Sequence, residues 1–109
     1  MSKAKSMLSA SARDSLAEVG RNVDLARSRR NLRIATLCEA AGITPQTYRR
    51  LVKGDPGVSL GVAAAVLNAL NLEGDLQALA DPRTDKVGLM MERARAKGGV
   101  TQHVLDTDF

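Results

Sequence analysis

Aromatic residues are almost missing from this 109-residue chain: there is one Tyr, one Phe and no Trp. A core must therefore be built from Leu, Val, Ile and Ala. Ala and Leu favour helices, and the strand-forming aromatics are scarce, so an all-α fold is expected. The single cysteine, Cys38, excludes an intramolecular disulfide and a cysteine-rich metal site, and fits a reducing cytoplasmic setting. As a free thiol it reads as a small core residue. The only histidine, His103, falls near the C-terminus, where it reads as a tail residue. No long apolar run is present, and residues 1–11 are polar and Lys-bearing, which fits neither a signal peptide nor a membrane span. Asp81, Asp85, Asp106 and Asp108 do not follow the spacing of a calcium loop and read as caps or solvated groups. Gly54-Asp55-Pro56-Gly57 is a turn and not a phosphate loop, because no Gly-Lys-Ser/Thr follows. With no acid–base pair, metal set or nucleotide loop, the chain reads as a non-enzyme that needs no cofactor.

Charge is present, and unevenly spread. The net charge is +4, but residues 13–53 hold nine Lys/Arg against four Asp/Glu, whereas residues 54–109 hold five against eight. A basic half suits a polyanion, and an acidic half suits a different partner.

Length allows one compact domain. Residues 1–12, rich in Ser, Ala and Lys, read as a flexible arm, residues 13–96 as the domain and residues 97–109 as a tail. Apolar spacing predicts a first helix over Asp14–Arg30, with Leu16, Val19, Val23 and Ala26 on its inner face. Arg27, Arg29 and Arg30 sit in its last turn, where they suit the helix dipole or a phosphate. A second helix is expected over Arg33–Ala41, closed by Gly42 in the left-handed conformation. Thr44 then caps a third helix, Pro45–Lys53, with Pro45 at its first position. Ser59 caps a fourth, Leu60–Leu70, directing Leu60, Ala63, Val66, Leu67 and Leu70 inward, and Asn71 fits its end. A fifth is expected over Glu73–Ala80, broken by Asp81-Pro82, and a sixth over Val87–Ala96, with Gly98-Gly99 ending regular structure. Val100–Phe109 reads either as disordered or as a short strand.

The informative stretch is Leu37–Gly54, part of a helix-turn-helix expected over about residues 33–53. Small residues at Cys38 and Ala41 let two helices cross closely, Gly42 makes the turn, Ile43 pins it, and Tyr48 and Leu51 face inward from the next helix. Such an arrangement builds a helix-turn-helix, whose second helix enters a DNA major groove. The residues Leu37-Cys38-Glu39-Ala40-Ala41-Gly42-Ile43-Thr44, Thr47-Tyr48-Arg49-Arg50-Leu51 and Lys53-Gly54 resemble the Cro/repressor (XRE-type) helix-turn-helix family. The stretches Gly54–Leu60, Leu70-Asn71-Leu72, Leu79-Ala80-Asp81-Pro82 and Asp85-Lys86-Val87-Gly88-Leu89 resemble its HipB-like branch, over roughly residues 14–96 in all.

The resemblance implies a single five- to six-helix domain of the lambda-repressor-like type. It also implies a homodimeric repressor on a palindromic double-stranded operator, cytoplasmic and nucleoid-associated, and an antitoxin partnered by a HipA-like kinase toxin. Carried over, it puts Thr44 on a phosphate and Gln46, Thr47 and Arg50 on base edges. Those residue types match adenine, a thymine methyl and guanine respectively. Arg49 and Lys53 fall to backbone phosphates, with the Tyr48 hydroxyl reaching outward to the same backbone. Two departures stand out. Ile34 replaces the glutamine many relatives carry, and Arg33 replaces their Thr or Ser cap. Arg33 is expected to supply the lost phosphate contact, and Asn31 to act as the cap. The loss of that glutamine leaves a second reading open, a helical protein–protein adaptor with vestigial DNA binding.

Overall fold

The computed structural model describes residues 3–98; His103, Asp106, Asp108 and the segment Val100–Phe109 lie outside the described residues. Every regular element among the described residues is a helix: α1 (Lys3–Ser6), α2 (Ala10–Arg29), α3 (Ile34–Ala41), α4 (Pro45–Val52), α5 (Leu60–Ala69), α6 (Gly74–Gln77) and α7 (Lys86–Lys97). Two compact units divide between Leu76 and Gln77. None of the helices is long and apolar enough to cross a membrane, among the described residues.

In the first unit α2, α3, α4 and α5 enclose a core of Val23, Leu37, Cys38, Tyr48, Leu51, Val66 and Leu70. α2 begins at Ala10, inside the segment expected as an arm, because the Ser9 hydroxyl accepts the Ala12 N–H at 3.1 Å and caps it. Arg13 then holds the preceding residues, donating from Nη2 to the Lys5 carbonyl (3.1 Å) and from Nε to the Leu8 carbonyl (3.4 Å).

The inner face of α2 follows its apolar spacing at Leu16, Val23 and Ala26 and departs from it at Val19. Gly20 and Val23 are buried, while Val19 is 44% exposed. The cause is a close crossing with α4: a Cβ on Gly20 would overlap the Val52 carbonyl and stand 2.7 Å from the Leu51 oxygen. Asp24 and Arg27 follow Gly20 at helical spacing onto this face.

Four helices end in one way. Leu32 N–H donates to Arg27 O (3.2 Å), Ile43 to Cys38 O (3.0 Å), Asp55 to Arg50 O (3.0 Å) and Leu72 to Leu67 O (2.7 Å). In each, the residue before the donor is left-handed: Asn31 (φ 55°), Gly42 (72°), Gly54 (79°) and Asn71 (61°). This is the Schellman closure, in which the chain turns back and the donor residue contacts the last helical turn. Leu32, Ile43 and Leu72 then pack onto the core. Asn31 therefore terminates α2 and does not cap α3; Arg33 takes the N-cap place with no side-chain hydrogen bond.

Two further expectations change. Leu60, the first residue of α5, is 65% exposed rather than inward. The fifth helix is one turn only, Gly74–Gln77, since Ala80 is left-handed (φ 54°) and Leu79 is 60% exposed. In the second unit, Asp85 Oδ1 accepts the Gly88 N–H at 3.0 Å and so starts α7 at Lys86.

Candidate nucleic-acid interface

α3, Gly42 and α4 form the crossing pair. Gly42, at φ 72°, closes α3, and the next N–H, of Ile43, returns to the Cys38 carbonyl. Thr44, in extended backbone, accepts the Thr47 N–H at 3.1 Å and donates its own hydroxyl proton to Thr47 Oγ1 at 3.1 Å. Pro45 follows at the first helical position, where its missing N–H costs nothing.

With 3.6 residues per turn, α4 divides sharply. Tyr48 and Leu51 are buried and Val52 is half-buried, while Gln46, Arg49, Arg50 and Lys53 are exposed at i, i+3, i+4 and i+7. One stripe thus carries three cations and one amide. Thr47 lies beside the stripe, half-buried, with its hydroxyl engaged by Thr44. Arg33 is exposed at the start of α3, on the other helix of the pair.

Tyr48 does not reach outward, which corrects the expected phosphate contact. Its side chain is 1% exposed, and its hydroxyl donates to Asp24 Oδ1 at 2.8 Å. Arg27 Nε donates to the same oxygen at 3.0 Å, and Arg27 Nη1 to the Leu32 carbonyl at 2.6 Å. This network ties α2, the α2–α3 turn and α4 together behind the exposed stripe. Arg27 is spent inside it, so among the cluster at the end of α2 it is a structural cation. Arg30 Nη1 bonds back to the Ala26 carbonyl at 3.0 Å. The Arg27 guanidinium, and then the Tyr48 hydroxyl, hold the Asp24 carboxyl below the usual range. Burial, reinforced by the Asp24 bond, pushes the Tyr48 phenol up to about 12. Burial also raises the Cys38 thiol, which keeps it protonated and inert.

Arg50 is anchored on the exposed side. Its Nε donates to Asp55 Oδ2 at 2.9 Å, and Asp55 Oδ1 accepts the Gly57 N–H at 2.7 Å. The Arg50 guanidinium, and then the Gly57 N–H, hold the Asp55 carboxyl below its ordinary value. A Cβ on Gly57 would stand 2.7 Å from Lys5 Nζ and 2.9 Å from Arg50 Nη2, so two cations close over a bare glycine. Sequence reasoning passed over Gly20, Asp24 and Asp55. The available signal for Asp55 was an acidic residue directly after the glycine that stops a basic helix.

A family model described as a helix-turn-helix domain matches residues 18–80. The chain belongs to that family. Its match takes in the whole α3–Gly42–α4 pair, the part of α2 that carries Gly20, Asp24 and Arg27, and α5. No curated protein and no solved structure matches the chain.

Proposed function

We propose that this helix-turn-helix protein is a sequence-specific DNA-binding transcriptional regulator that acts as a repressor. The observation that carries the reading is the stripe Gln46, Arg49, Arg50 and Lys53, exposed on a helix whose opposite side is locked into the core. Gln46 and Arg50 supply bidentate partners for adenine and guanine, and Thr47 a methyl for thymine beside them. Arg49, Lys53, Arg33 and the capped N-terminus of α4 at Thr44 supply phosphate contacts that set register.

One such helix reads only a few base pairs, so the protein binds as a homodimer on a palindrome, with half-sites about 34 Å or a multiple apart. The helix α7 supports a protein partner: Val87, Met90 and Met91 are all more than half exposed and recur at helical spacing. The likeness of Gly54–Leu60 and Leu79–Leu89 to the HipB-like branch supports an autoregulating antitoxin that binds a HipA-like kinase toxin inside the cell.

The test is fluorescence anisotropy with DNA from the protein's own upstream region against random competitor. Wild type is expected to prefer its site, and Arg50→Ala and Gln46→Ala each to lose about 1–3 kcal/mol of that preference. Equal binding of every duplex by all variants, or no binding, would remove the base-reading role and favour a protein–protein adaptor. A strict monomer in sedimentation at high concentration would remove the palindrome.

A further inference from the structure

Three of the four Schellman closures put an apolar residue, Leu32, Ile43 or Leu72, where it packs onto the core. The fourth, at the end of α4, puts Asp55 there. A side chain at this place sits against the residue five positions earlier, the one whose carbonyl it bonds. For α4 that residue is Arg50. The apolar contact of the motif is thus replaced by an ion pair between Asp55 and the cation at the centre of the exposed stripe.

We infer that Asp55 is a specificity-determining positioning residue, holding Arg50 for end-on recognition of guanine. The inference rests on the DNA-reading function of α4. Three features support it. The carboxylate takes the Nε–H, so the two Nη groups are the donors left to form the fork on guanine O6 and N7. Asp55 is itself fixed, by its own N–H on the Arg50 carbonyl at 3.0 Å and by the Gly57 N–H on Oδ1 at 2.7 Å. Gly57 leaves open the space beside Arg50 Nη2 that any Cβ would fill. An arginine free to rotate must give up several rotamers on meeting a base, and it also meets phosphates equally well. An arginine tethered through Nε has lost that freedom before binding, and its charge toward any phosphate is partly offset by the paired carboxylate. Asp55 therefore favours the guanine edge over the backbone.

The experiment selects a preferred duplex from a randomised pool with the wild-type full chain, then measures affinity for it and for a scrambled duplex. Each guanine is also replaced in turn by 7-deazaguanine, which lacks the N7 acceptor. The variants are Arg50→Ala, Asp55→Asn, Asp55→Glu and Arg50→Ala/Asp55→Asn. Asparagine keeps an acceptor for the Gly57 N–H, so the turn is retained while the Arg50 partner is lost; a thermal melt checks the fold. Wild type is expected to discriminate, with one guanine paying a 7-deaza penalty in the range of roughly 5- to 150-fold. Asp55→Asn should lose most of that penalty while binding scrambled DNA as well as or better than wild type. Asp55→Glu should restore part of it, and in the Arg50→Ala background Asp55→Asn should leave the 7-deaza penalty unchanged, whatever its effect on affinity for both duplexes. If Asp55→Asn tightens both duplexes by one factor and keeps the 7-deaza penalty, Asp55 is only a negative charge near DNA and the inference is overturned. If wild type selects no duplex at all, the reading of α4 falls and the role of Asp55 with it. If Arg50→Ala loses the preference but Asp55→Asn keeps it, only the role of Asp55 falls.

Discussion

Tyr48 is the only tyrosine in a chain without tryptophan, so its ionisation can be followed alone. Its side chain is 1% exposed and its hydroxyl donates to a carboxylate, and the phenol is raised from 10.0 to about 12. The folded state thus holds the proton more tightly than the unfolded chain. The resulting stability is fully present below pH 10 and is lost as the pH rises toward 12. At about 1.4 kcal/mol per tenfold change in equilibrium, the loss is on the order of 2–3 kcal/mol, a large part of the roughly 5–15 kcal/mol that holds a typical domain. Phenolate absorbance and far-ultraviolet circular dichroism, recorded together against pH, should therefore change together well above pH 10. Tyr48→Phe should be less stable at neutral pH, by about 1 kcal/mol for the lost hydrogen bond, yet resist alkali better because nothing in the core ionises. In acid the sign reverses. Asp24 is lowered by Arg27 and Tyr48, so its contribution is present above about pH 4 and is lost as the pH falls below that. The gap in melting temperature between wild type and Tyr48→Phe should narrow there. A phenolate forming near pH 10 with the helical signal intact would refute the reasoning, because it would mean that the hydroxyl meets water.

Gly20→Ala should destabilise in urea by about 1–3 kcal/mol through overpacking against the Val52 carbonyl, although the same change in an open helix stabilises by about 1 kcal/mol. Gly42 and Gly54 are both left-handed, but a Cβ on Gly42 meets nothing whereas one on Gly54 stands 2.6 Å from the Ala17 nitrogen. Gly42→Ala should therefore cost only the backbone penalty of about 1–2 kcal/mol, and Gly54→Ala distinctly more in the same thermal melt. Lys53→Ala and Arg49→Ala should each weaken binding to all duplexes alike and flatten the plot of affinity against salt by about one phosphate, as measured by anisotropy titration.

The helix-turn-helix was legible because local chemistry defines it. Gly42, Thr44 and Pro45 act within a few residues of themselves, by backbone conformation or by a side-chain cap, and the apolar places in α4 fall on one side. Ser59, Gly54 and Asn71 marked helix ends for the same reason. In α2 the inward places of Leu16, Val23 and Ala26 were legible, but that of Gly20 in place of Val19 was not. Apolar periodicity counts side chains, and the residue that sets the α2–α4 crossing is Gly20, which has none. Val19 consequently looked like the inner residue and is 44% exposed. Tyr48 misled for a related reason: its outward partner was expected in the DNA, while the actual partner, Asp24, lies 24 residues earlier on a helix whose orientation was unknown. Leu60 shows that leucine at helical spacing is not a burial label when the residue begins a helix.

Under the proposed DNA-reading role of α4, the pattern of helix endings links stability to recognition. The same reversal of the chain closes α2, α3, α4 and α5, and in three cases the residue after the left-handed position anchors the turn by entering the core. An apolar residue at 55 would do the same for α4, but it would leave the Arg50 guanidinium without its partner and draw the turn away from it. A DNA-reading surface has to keep its donors hydrated and directed at once, and an aliphatic side chain directs nothing polar. Asp55 anchors the turn through two backbone N–H groups, its own on Arg50 and that of Gly57 on its carboxylate, and leaves its second oxygen for Arg50. The end of α4 therefore gives up one apolar contact, and gains an arginine whose position is set before any nucleic acid arrives.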